Sequence, residues 1–289
     1  MSENKTSINW FPGHMTKALR QMEKSIKNVD VIFYCLDSRA PLSCLNPKLS
    51  KLAQNKKIVY VLTKSDMVET KDLEKFKAKL ISNNSDVVYL NSTQTNSSKI
   101  LLEKAKKLLQ SKFDKAQEKG LKYMIKAMVV GVPNVGKSTL INNFCGKAKA
   151  ITGNKPGVTK GEQWLLSKDG QINLLDTPGT LWPSFDNNKT ANNLAYIGSI
   201  KDDVLDTTEL AFNFIKDIIN LNKSFLEERY GIKINCKNSP NNDDVLKVLD
   251  DICFSRKCVL KGNEPDYDRC AKLILDDFRK NRLGKIVLD

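Results

Sequence analysis

The sequence predicts an α/β domain followed by a smaller, all-helical domain, and three observations support this prediction. Continuous apolar runs alternate with amphipathic segments in the first part of the chain, as in parallel sheets covered by helices. A glycine-rich turn at 131–139 joins one such run to a helical segment. Beyond residue 190 the apolar residues follow a helical period. We place the boundary in the polar stretch 182–189, which gives domains 1–188 and 189–289.

The elements of the first domain follow from the period of its apolar residues. A first helix has an apolar face formed by Met15, Leu19, Met22 and Ile26. Strands are predicted at 29–36, 58–62, 87–90, 127–130, 163–166 and 172–175. The last two form a hairpin, because Lys168-Asp169-Gly170 makes a short turn between them. Further helices are predicted at 46–54, 71–81, 98–112 and 140–144. In the second domain we expect helices at 190–197, 207–221, 224–230, 243–254 and 267–280.

Composition excludes several classes of protein. No apolar run is long enough to cross a bilayer, and the polar start, residues 1–7, lacks the apolar stretch of a signal peptide. The chain has seven cysteines, an odd number, and one histidine, which argues against disulfides and zinc sites. We therefore expect a cytoplasmic protein without a membrane partner.

Positive charge is concentrated in the first domain. The net charge of the chain is +14, yet residues 1–189 hold 31 Lys and Arg against 16 Asp and Glu, whereas residues 190–289 hold 16 against 17. Such an excess suggests a polyanionic partner. The alternative is a lysine-rich, solvated surface.

The turn Gly131-Val132-Pro133-Asn134-Val135-Gly136-Lys137-Ser138-Thr139 has the pattern and the strand–turn–helix context of a phosphate-binding P-loop. Its glycines let the backbone close around a phosphate, whose charge the N–H groups and the helix dipole favour. Lys137 would contact the β and γ phosphates, and Ser138 would bind Mg²⁺. The alternative is an ordinary Gly/Pro turn between a strand and a helix.

Two later segments complete a phosphate site. Asp176-Thr177-Pro178-Gly179 ends a predicted strand, so that Asp176 can hold Mg²⁺ through water and Gly179 can offer its N–H to a γ phosphate. Thr159, in the Gly/Lys-rich loop 149–160, can bind Mg²⁺ when that phosphate is present. The expected metal ligands are Ser138, Thr159 and Asp176.

Thr63-Lys64-Ser65-Asp66 follows another predicted strand and is suited to reading a guanine base. The carboxylate of Asp66 can accept bonds from N1–H and the N2 amino group, an arrangement that adenine lacks. The stem of Lys64 can lie on the ring, and the backbone near Ser92 can donate to O6. We therefore expect GTP or GDP to be bound by Thr63, Lys64, Ser65, Asp66, Asn91, Ser92, Asn134, Val135, Gly136, Lys137, Ser138, Thr139 and Gly179.

The guanine motif precedes the phosphate motifs, the reverse of ordinary GTPases, so the chain resembles a circularly permuted GTPase. Within that group it resembles the YlqF/RbgA family of ribosome-assembly GTPases, from Ile8 onward. The resemblance rests on Trp10-Phe11-Pro12-Gly13-His14-Met15, Asp37-Ser38-Arg39-Ala40-Pro41, the P-loop, Pro156-Gly157-Val158-Thr159, Asp176-Thr177-Pro178-Gly179, and Asp276-Asp277-Phe278-Arg279 followed by Leu283-Gly284. One departure is Thr63, where the family has Asn; threonine can bond the P-loop backbone but not the base N7 as well.

The resemblance implies a GTPase that assists a late step of large (50S) ribosomal subunit assembly, with hydrolysis stimulated by that subunit. The helical domain would help dock on its rRNA, and no DNA partner is expected. It also implies that His14 positions the attacking water, because Thr180 and Leu181 follow Gly179 where many GTPases have Gln. The alternative is that His14 caps or packs the first helix.

Two further hypotheses remain open. Asn134 resembles the residue of GTPases that use K⁺ beside the phosphates, although it can also simply stabilise its loop. A different class of function is a GTP-dependent switch that binds protein partners only, and the excess positive charge of the first domain argues against it.

Overall fold

The structure is a computed structural model that describes residues 13–91, 97–146, 163–182, 185, 187–236 and 239–289, apart from the side chains of residues 13, 14 and 97. Its internal contacts divide the chain into two compact units. One consists of Met1–Asp186 with Val287–Asp289, and the other of Asn187–Ile286. The last three residues thus belong to the first unit, whereas the sequence prediction placed them in the second domain.

One six-stranded sheet forms the centre of the described part of the first unit. Its strands are β1 (Val31–Asp37), β2 (Lys57–Thr63), β3 (Ser85–Leu90), β4 (Ile125–Val130), β5 (Gln163–Leu166) and β6 (Ile172–Asp176). Their order across the sheet is β3-β2-β1-β4-β6-β5. All neighbours are parallel except β5 and β6, which form the predicted hairpin. Every residue of β1 is buried, as expected for a central strand covered on both faces.

The topology reverses between the neighbouring strands β1 and β4. From β1 the chain continues outward through β2 to β3, whereas from β4 it reaches β6 and β5 on the other side. Ligands of open α/β sheets bind in the crevice at the carboxyl ends of the strands at such a switch point. The segments that follow Asp37 and Val130 therefore lie where a ligand is expected.

The described helices of the first unit differ from the predictions at the ends of two of them. They are α1 (Gly13–Ser25), α2 (Pro47–Ala53), α3 (Thr70–Leu80), α4 (Ser97–Leu108), α5 (Gln110–Glu118) and α6 (Lys137–Cys145). The single helix predicted at 98–112 is wrong, because α4 and α5 are separate. Leu109, which is 2% exposed, leaves the helical backbone between them with φ −105° and ψ 13°. Met15, Leu19 and Met22 of α1 are buried as predicted, whereas Ile26, the fourth residue predicted on that face, lies in a 3₁₀ turn after α1 and is half-buried.

The described part of the second unit is helical. It contains α7 (Asn188–Tyr196), α8 (Thr207–Asn222), α9 (Ser224–Tyr230), α10 (Asn242–Ser255) and α11 (Tyr267–Arg279). Polar side chains cap four of these helices at Asn187, Asp206, Asn241 and Asp266, which explains where they begin. Phe214 of α8 packs against Tyr196 and Phe278 in the core. Within the described residues, no helix is long and apolar enough to cross a membrane.

Candidate functional site

The glycine-rich turn connects β4 to α6 at the switch point of the sheet. Gly131 has φ +150°, and a Cβ atom there would lie 2.5 Å from the carbonyl oxygen of Cys35 on β1. Gly136 caps α6 with φ 93°, and Asn134 is also left-handed, with φ 61°. Residues with a side chain rarely adopt such backbone conformations, so the path of this loop depends on its glycines. The first N–H groups of α6 therefore face the crevice as in a phosphate site.

The ammonium group of Lys137 lies inside this loop. The side chain is 7% exposed, and Nζ donates to the carbonyl oxygens of Gly131 at 3.2 Å and Val132 at 2.8 Å. Burial lowers the pKa of Lys137, whereas the nearby Cys35 and Asp176 raise it. A phosphate at the loop would also favour the charged ammonium, because an opposite charge nearby stabilises it.

Asp176 ends β6 close to Lys137 and has the properties of a metal-binding carboxylate. It is 2% exposed, and its Oδ1 has no hydrogen-bond partner among the described residues. Burial raises its pKa to about 6, while Lys137 and the backbone of Thr177 lower it. An unpartnered buried carboxylate oxygen is costly unless a cation or water meets it.

The chemistry of the predicted donors fits Mg²⁺. Ser138, half-buried at the start of α6, supplies a hydroxyl, and Mg²⁺ prefers few protein oxygens together with phosphate and water. No group of three or more His, Cys, Asp or Glu side chains in the described part of the chain is arranged to hold a metal. Thr159, the third predicted ligand, lies outside the described residues.

Gly179 lies directly against the P-loop. A Cβ atom on this residue would be 2.7 Å from Cα of Pro133 and 3.0 Å from Nζ of Lys137. Only glycine fits so close to backbone atoms. The next residue, Thr180, donates its N–H to the carbonyl oxygen of Gly131 at 3.3 Å. The segment after β6 is thus positioned beside Lys137, as expected for a residue that senses a γ phosphate.

The first helix contacts this same segment. Leu181 N lies 3.4 Å from Sδ of Met15 on α1, and the amide of Asn46 donates to the carbonyl oxygen of Thr180 at 3.4 Å. Leu181 is fully buried. The start of α1 therefore lies near Gly179, although the two are far apart in sequence. His14 belongs to α1, but its side chain lies outside the described residues.

The predicted guanine-reading turn lies on the other side of the P-loop. Thr63 Oγ1 at the end of β2 donates to the carbonyl oxygen of Val135 at 2.6 Å, with that of Leu36 at 3.1 Å. The expected bond from Thr63 to the P-loop backbone is therefore present. Lys64 is left-handed, with φ 54°, and precedes a 3₁₀ turn, Ser65–Met67, on which Asp66 is exposed.

The remaining base-site predictions fall at the end of β3. Asn91 directly follows that strand and is half-buried, whereas Ser92 lies outside the described residues. The backbone therefore brings Asn91 to the same edge of the sheet as Thr63, since β2 and β3 are parallel neighbours. The predicted donors to O6 remain a prediction.

A buried charge cluster that the sequence did not predict lies beneath this turn. Asp37 at the end of β1 is fully buried and accepts bonds from Arg39 Nε at 2.9 Å and Nη2 at 2.8 Å. Lys64 Nζ donates to the same carboxylate at 2.6 Å. Burial alone raises the pKa of Asp37, but the two cations hold it well below its usual value. The available signal was Asp37-Ser38-Arg39, two opposite charges directly after an apolar strand.

Two curated relatives match nearly the whole chain. The ribosome biogenesis GTPase A of Priestia megaterium is 34% identical over 285 residues, which cover 98% of this chain and 96% of the relative. The protein of the same name from Bacillus cereus is 36% identical over 283 residues, covering 98% and 93%.

The chain belongs to the ribosome biogenesis GTPase A family.

Structural similarity agrees with this assignment. GNP-bound YlqF from T. maritima superposes with a TM-score of 0.62 over 94% of this chain and 97% of that one, at 21% identity, and so has the same fold. A family described as 50S ribosome-binding GTPase matches residues 126–247. That match includes the P-loop and Asp176 but not Thr63–Asp66, which lie upstream. This family member is a GTPase with circularly permuted motif order.

Proposed function

We propose that the protein binds and hydrolyses GTP to assist a late step in the assembly of the large (50S) ribosomal subunit, in the cytoplasm. The observation that carries this proposal is the convergence of two distant segments on one P-loop. Lys137 lies inside the loop, Gly179 lies against it, and Thr63 bonds its backbone from another strand end. The loop and Gly179 would flank the phosphates, and Thr63 leads to the proposed base-reading turn.

Each segment has a distinct role in this proposal. The P-loop residues Asn134 to Thr139 and Gly179 bind the phosphates, while Thr63 to Asp66, Asn91 and Ser92 bind the base. Ser138, Thr159 and Asp176 hold Mg²⁺, which neutralises phosphate charge when bound. The unpartnered Oδ1 of Asp176 supports this assignment. The next residue, Thr177, donates its Oγ1–H to the carbonyl oxygen of Val129 at 2.6 Å. This bond holds the backbone beside Asp176 in place.

His14 is the proposed water-positioning residue. Leu181 is buried and apolar, and Thr180 is fully buried, so neither can readily orient a water molecule. The contact between Met15 and Leu181 supports a location of the neighbouring His14 near Gly179. An imidazole can orient or deprotonate water near neutral pH.

Potassium is a proposed activator. Asn134 takes a left-handed conformation at the tip of the P-loop and is half-buried, a place where its side chain can face an ion beside the phosphates. Turnover at equal ionic strength in KCl and NaCl tests this role, and equal rates would exclude it.

The ribosomal partner is proposed to include rRNA. Four lysines on or after α4 and α5 are exposed and have no ion-pair partner among the described residues: Lys107, Lys115, Lys119 and Lys122. In contrast, Lys104 pairs with Asp86, and Lys112 pairs with Asp30. Phosphate backbones reward such free positive charge. We also propose that a helical domain beginning near residue 189 helps in docking.

Sedimentation with purified subunits, combined with GTP hydrolysis, tests the proposed function. We expect preferential binding to the large subunit with a GTP analogue, weaker binding with GDP, and hydrolysis stimulated by that subunit. His14→Ala should bind GTP normally but lose most of the stimulated hydrolysis, whereas Lys17→Ala on the exposed face of α1 should behave as wild type. Equal, nucleotide-independent binding to both subunits would contradict the proposal, and wild-type hydrolysis by His14→Ala would return His14 to a structural role.

A charge-matched pair of variants separates an RNA partner from a protein partner. Lys115→Gln with Lys119→Gln should weaken subunit binding and reduce the slope of log affinity against log salt by about 1 for each lost phosphate contact. Lys71→Gln with Lys79→Gln on α3 removes the same charge from another exposed helix. Equal effects of both pairs would indicate a general charge effect, and no effect of either would favour protein partners.

A further inference from the structure

The proposed guanine-reading turn is anchored by a salt bridge to the buried carboxylate of Asp37. Lys64, the residue proposed to lie across the base, does not end in solvent: its ammonium donates to Asp37 at 2.6 Å, and the side chain is 25% exposed. Its left-handed backbone, φ 54°, is one that residues with a side chain adopt rarely. A contact that fixes the end of this side chain therefore also helps to fix the strained start of the turn.

Arg39 holds that carboxylate in one orientation. The Arg39 side chain is 2% exposed, and its guanidinium forms a two-point bond with the Asp37 carboxylate. The backbone N–H of Arg39 also donates to Oδ1 of Asp37 at 3.1 Å. A planar two-point bond defines the orientation of a carboxylate better than a single contact. Burial lowers the pKa of Arg39, and Asp37 outweighs it and raises that pKa, with a smaller contribution in the same direction from Asp66. The acid proposed to read the base therefore interacts electrostatically with the same cluster.

The loop after Arg39 is fixed in turn by the C-terminal segment of the first unit. Leu288 N donates to the carbonyl oxygen of Arg39 at 2.8 Å. The Asp289 carboxylate accepts from Leu42 N, from Ser43 N at 3.0 Å and from Ser43 Oγ at 2.5 Å. Four hydrogen bonds thus hold the loop on which Arg39 lies, close to the base side of the site.

We infer that Asp37 is a positioning residue for guanine recognition, which through Lys64 fixes the turn that carries Asp66, and that Leu288 and Asp289 brace this arrangement through Arg39. The inference rests on the proposed role of Thr63–Asp66. Asp37 has no proposed catalytic role, because it is fully buried and its carboxylate accepts bonds from Arg39 and Lys64.

The test measures nucleotide affinity and specificity in Asp37→Asn. We expect the Kd and KM for GTP to rise about 10- to 100-fold, the range for losing a bond to a charged group, with little change in kcat at saturating GTP. The preference for GTP over inosine triphosphate should also shrink, because inosine lacks the N2 amino group that a well-placed Asp66 would bind. A purely structural role would lower the melting temperature and leave this preference unchanged.

Two further variants keep the inference falsifiable if Asp37→Asn folds poorly. Asp289→Ala removes the peripheral brace, and we expect a smaller rise in GTP Kd, about 3- to 10-fold, with the same loss of preference over inosine triphosphate. Asp277→Asn removes a buried carboxylate charge from the second unit and should leave both unchanged. Wild-type affinity and preference in folded Asp37→Asn and Asp289→Ala would overturn the inference, whereas failure of the wild-type protein to prefer GTP would overturn the proposed function instead.

Discussion

Each of the two units contains a buried aspartate that binds two basic side chains. The comparison separates an ion cluster that only stabilises packing from one that also positions a residue of the proposed base site. In the first unit, Asp37 pairs with Arg39 and Lys64. In the second, Asp277, which is 1% exposed, accepts bonds from Arg229 Nε at 2.9 Å and Nη2 at 3.0 Å. Arg282 Nη1 donates to the same carboxylate at 3.0 Å.

The difference lies in where the cations come from. Arg229 of α9 and Arg282 after α11 both belong to the packing of the helical unit, and their side chains are 31% and 45% exposed. Lys64, in contrast, belongs to the segment Thr63–Asp66 that is proposed to read guanine. A buried ion pair contributes little net stability over apolar packing, yet losing one partner is costly. Asp277 therefore links helices of the second unit, whereas Asp37 also holds Lys64, a residue of the proposed base site.

The largest expected effect is on the stability of the second unit. Asp277→Ala leaves two arginines without their shared carboxylate and should cost about 3 kcal/mol, the lower end for a broken buried pair, because both arginines are partly exposed. Urea unfolding measures this loss. GTP affinity of the folded variant should equal that of the wild type; a changed affinity would mean that the two clusters do not differ in the way described.

Acid should separate the wild type from Asp277→Asn. Burial alone raises the pKa of Asp277, but Arg229 and Arg282 outweigh it and hold the pKa below its ordinary 3.8. A pKa lowered by folding stabilises the protein above about pH 4, and this contribution is lost as the pH falls through the folded-state pKa. Melting temperatures should therefore fall more steeply below about pH 4 in the wild type than in Asp277→Asn. Parallel curves would show that Asp277 is not held in its charged form by its arginines.

The smallest effects should come from removing one of the two hydrogen bonds in each arginine–aspartate pair. Arg39→Lys and Arg229→Lys keep the charge but lose one of the parallel hydrogen bonds, at a cost of about 1 kcal/mol each. We expect Arg39→Lys to weaken GTP binding several-fold and Arg229→Lys to affect only the melting temperature. Isothermal titration and thermal unfolding on the same samples would measure both, and identical behaviour of the two variants would contradict the comparison.

The sequence predicted the features that depend on local pattern. The P-loop could be found because its glycines, lysine and flanking elements lie in one continuous stretch, and the strands because their apolar runs are short and bounded. The break at Leu109 could not be predicted, since the residues around it keep a helical period and no Gly or Pro marks it. The antiparallel edge was predictable from the short turn at Lys168-Asp169-Gly170.

The charge cluster escaped prediction because it depends on register between strands. Asp37 lies opposite Thr63 only because β1 and β2 pair in parallel along their full length. Nothing local in either segment specifies that pairing. The return of Val287–Asp289 to the first unit is similarly invisible in the sequence, because a few residues separated from their partners by the whole helical unit leave no periodic signal.

The central claim is that a guanine base is read by the turn upstream of the P-loop, and the affinities of Asp66→Asn for GTP and xanthosine triphosphate test it most directly. Asparagine replaces one carboxylate oxygen with an NH₂ donor, which suits the extra carbonyl of xanthine and leaves one donor of guanine unpaired. We predict that GTP binding weakens about 100-fold or more, because one bond is lost and the other no longer has a charged acceptor, and that the variant prefers xanthosine triphosphate. Wild-type affinity for GTP in Asp66→Asn, without a gain for xanthosine triphosphate, would contradict the claim.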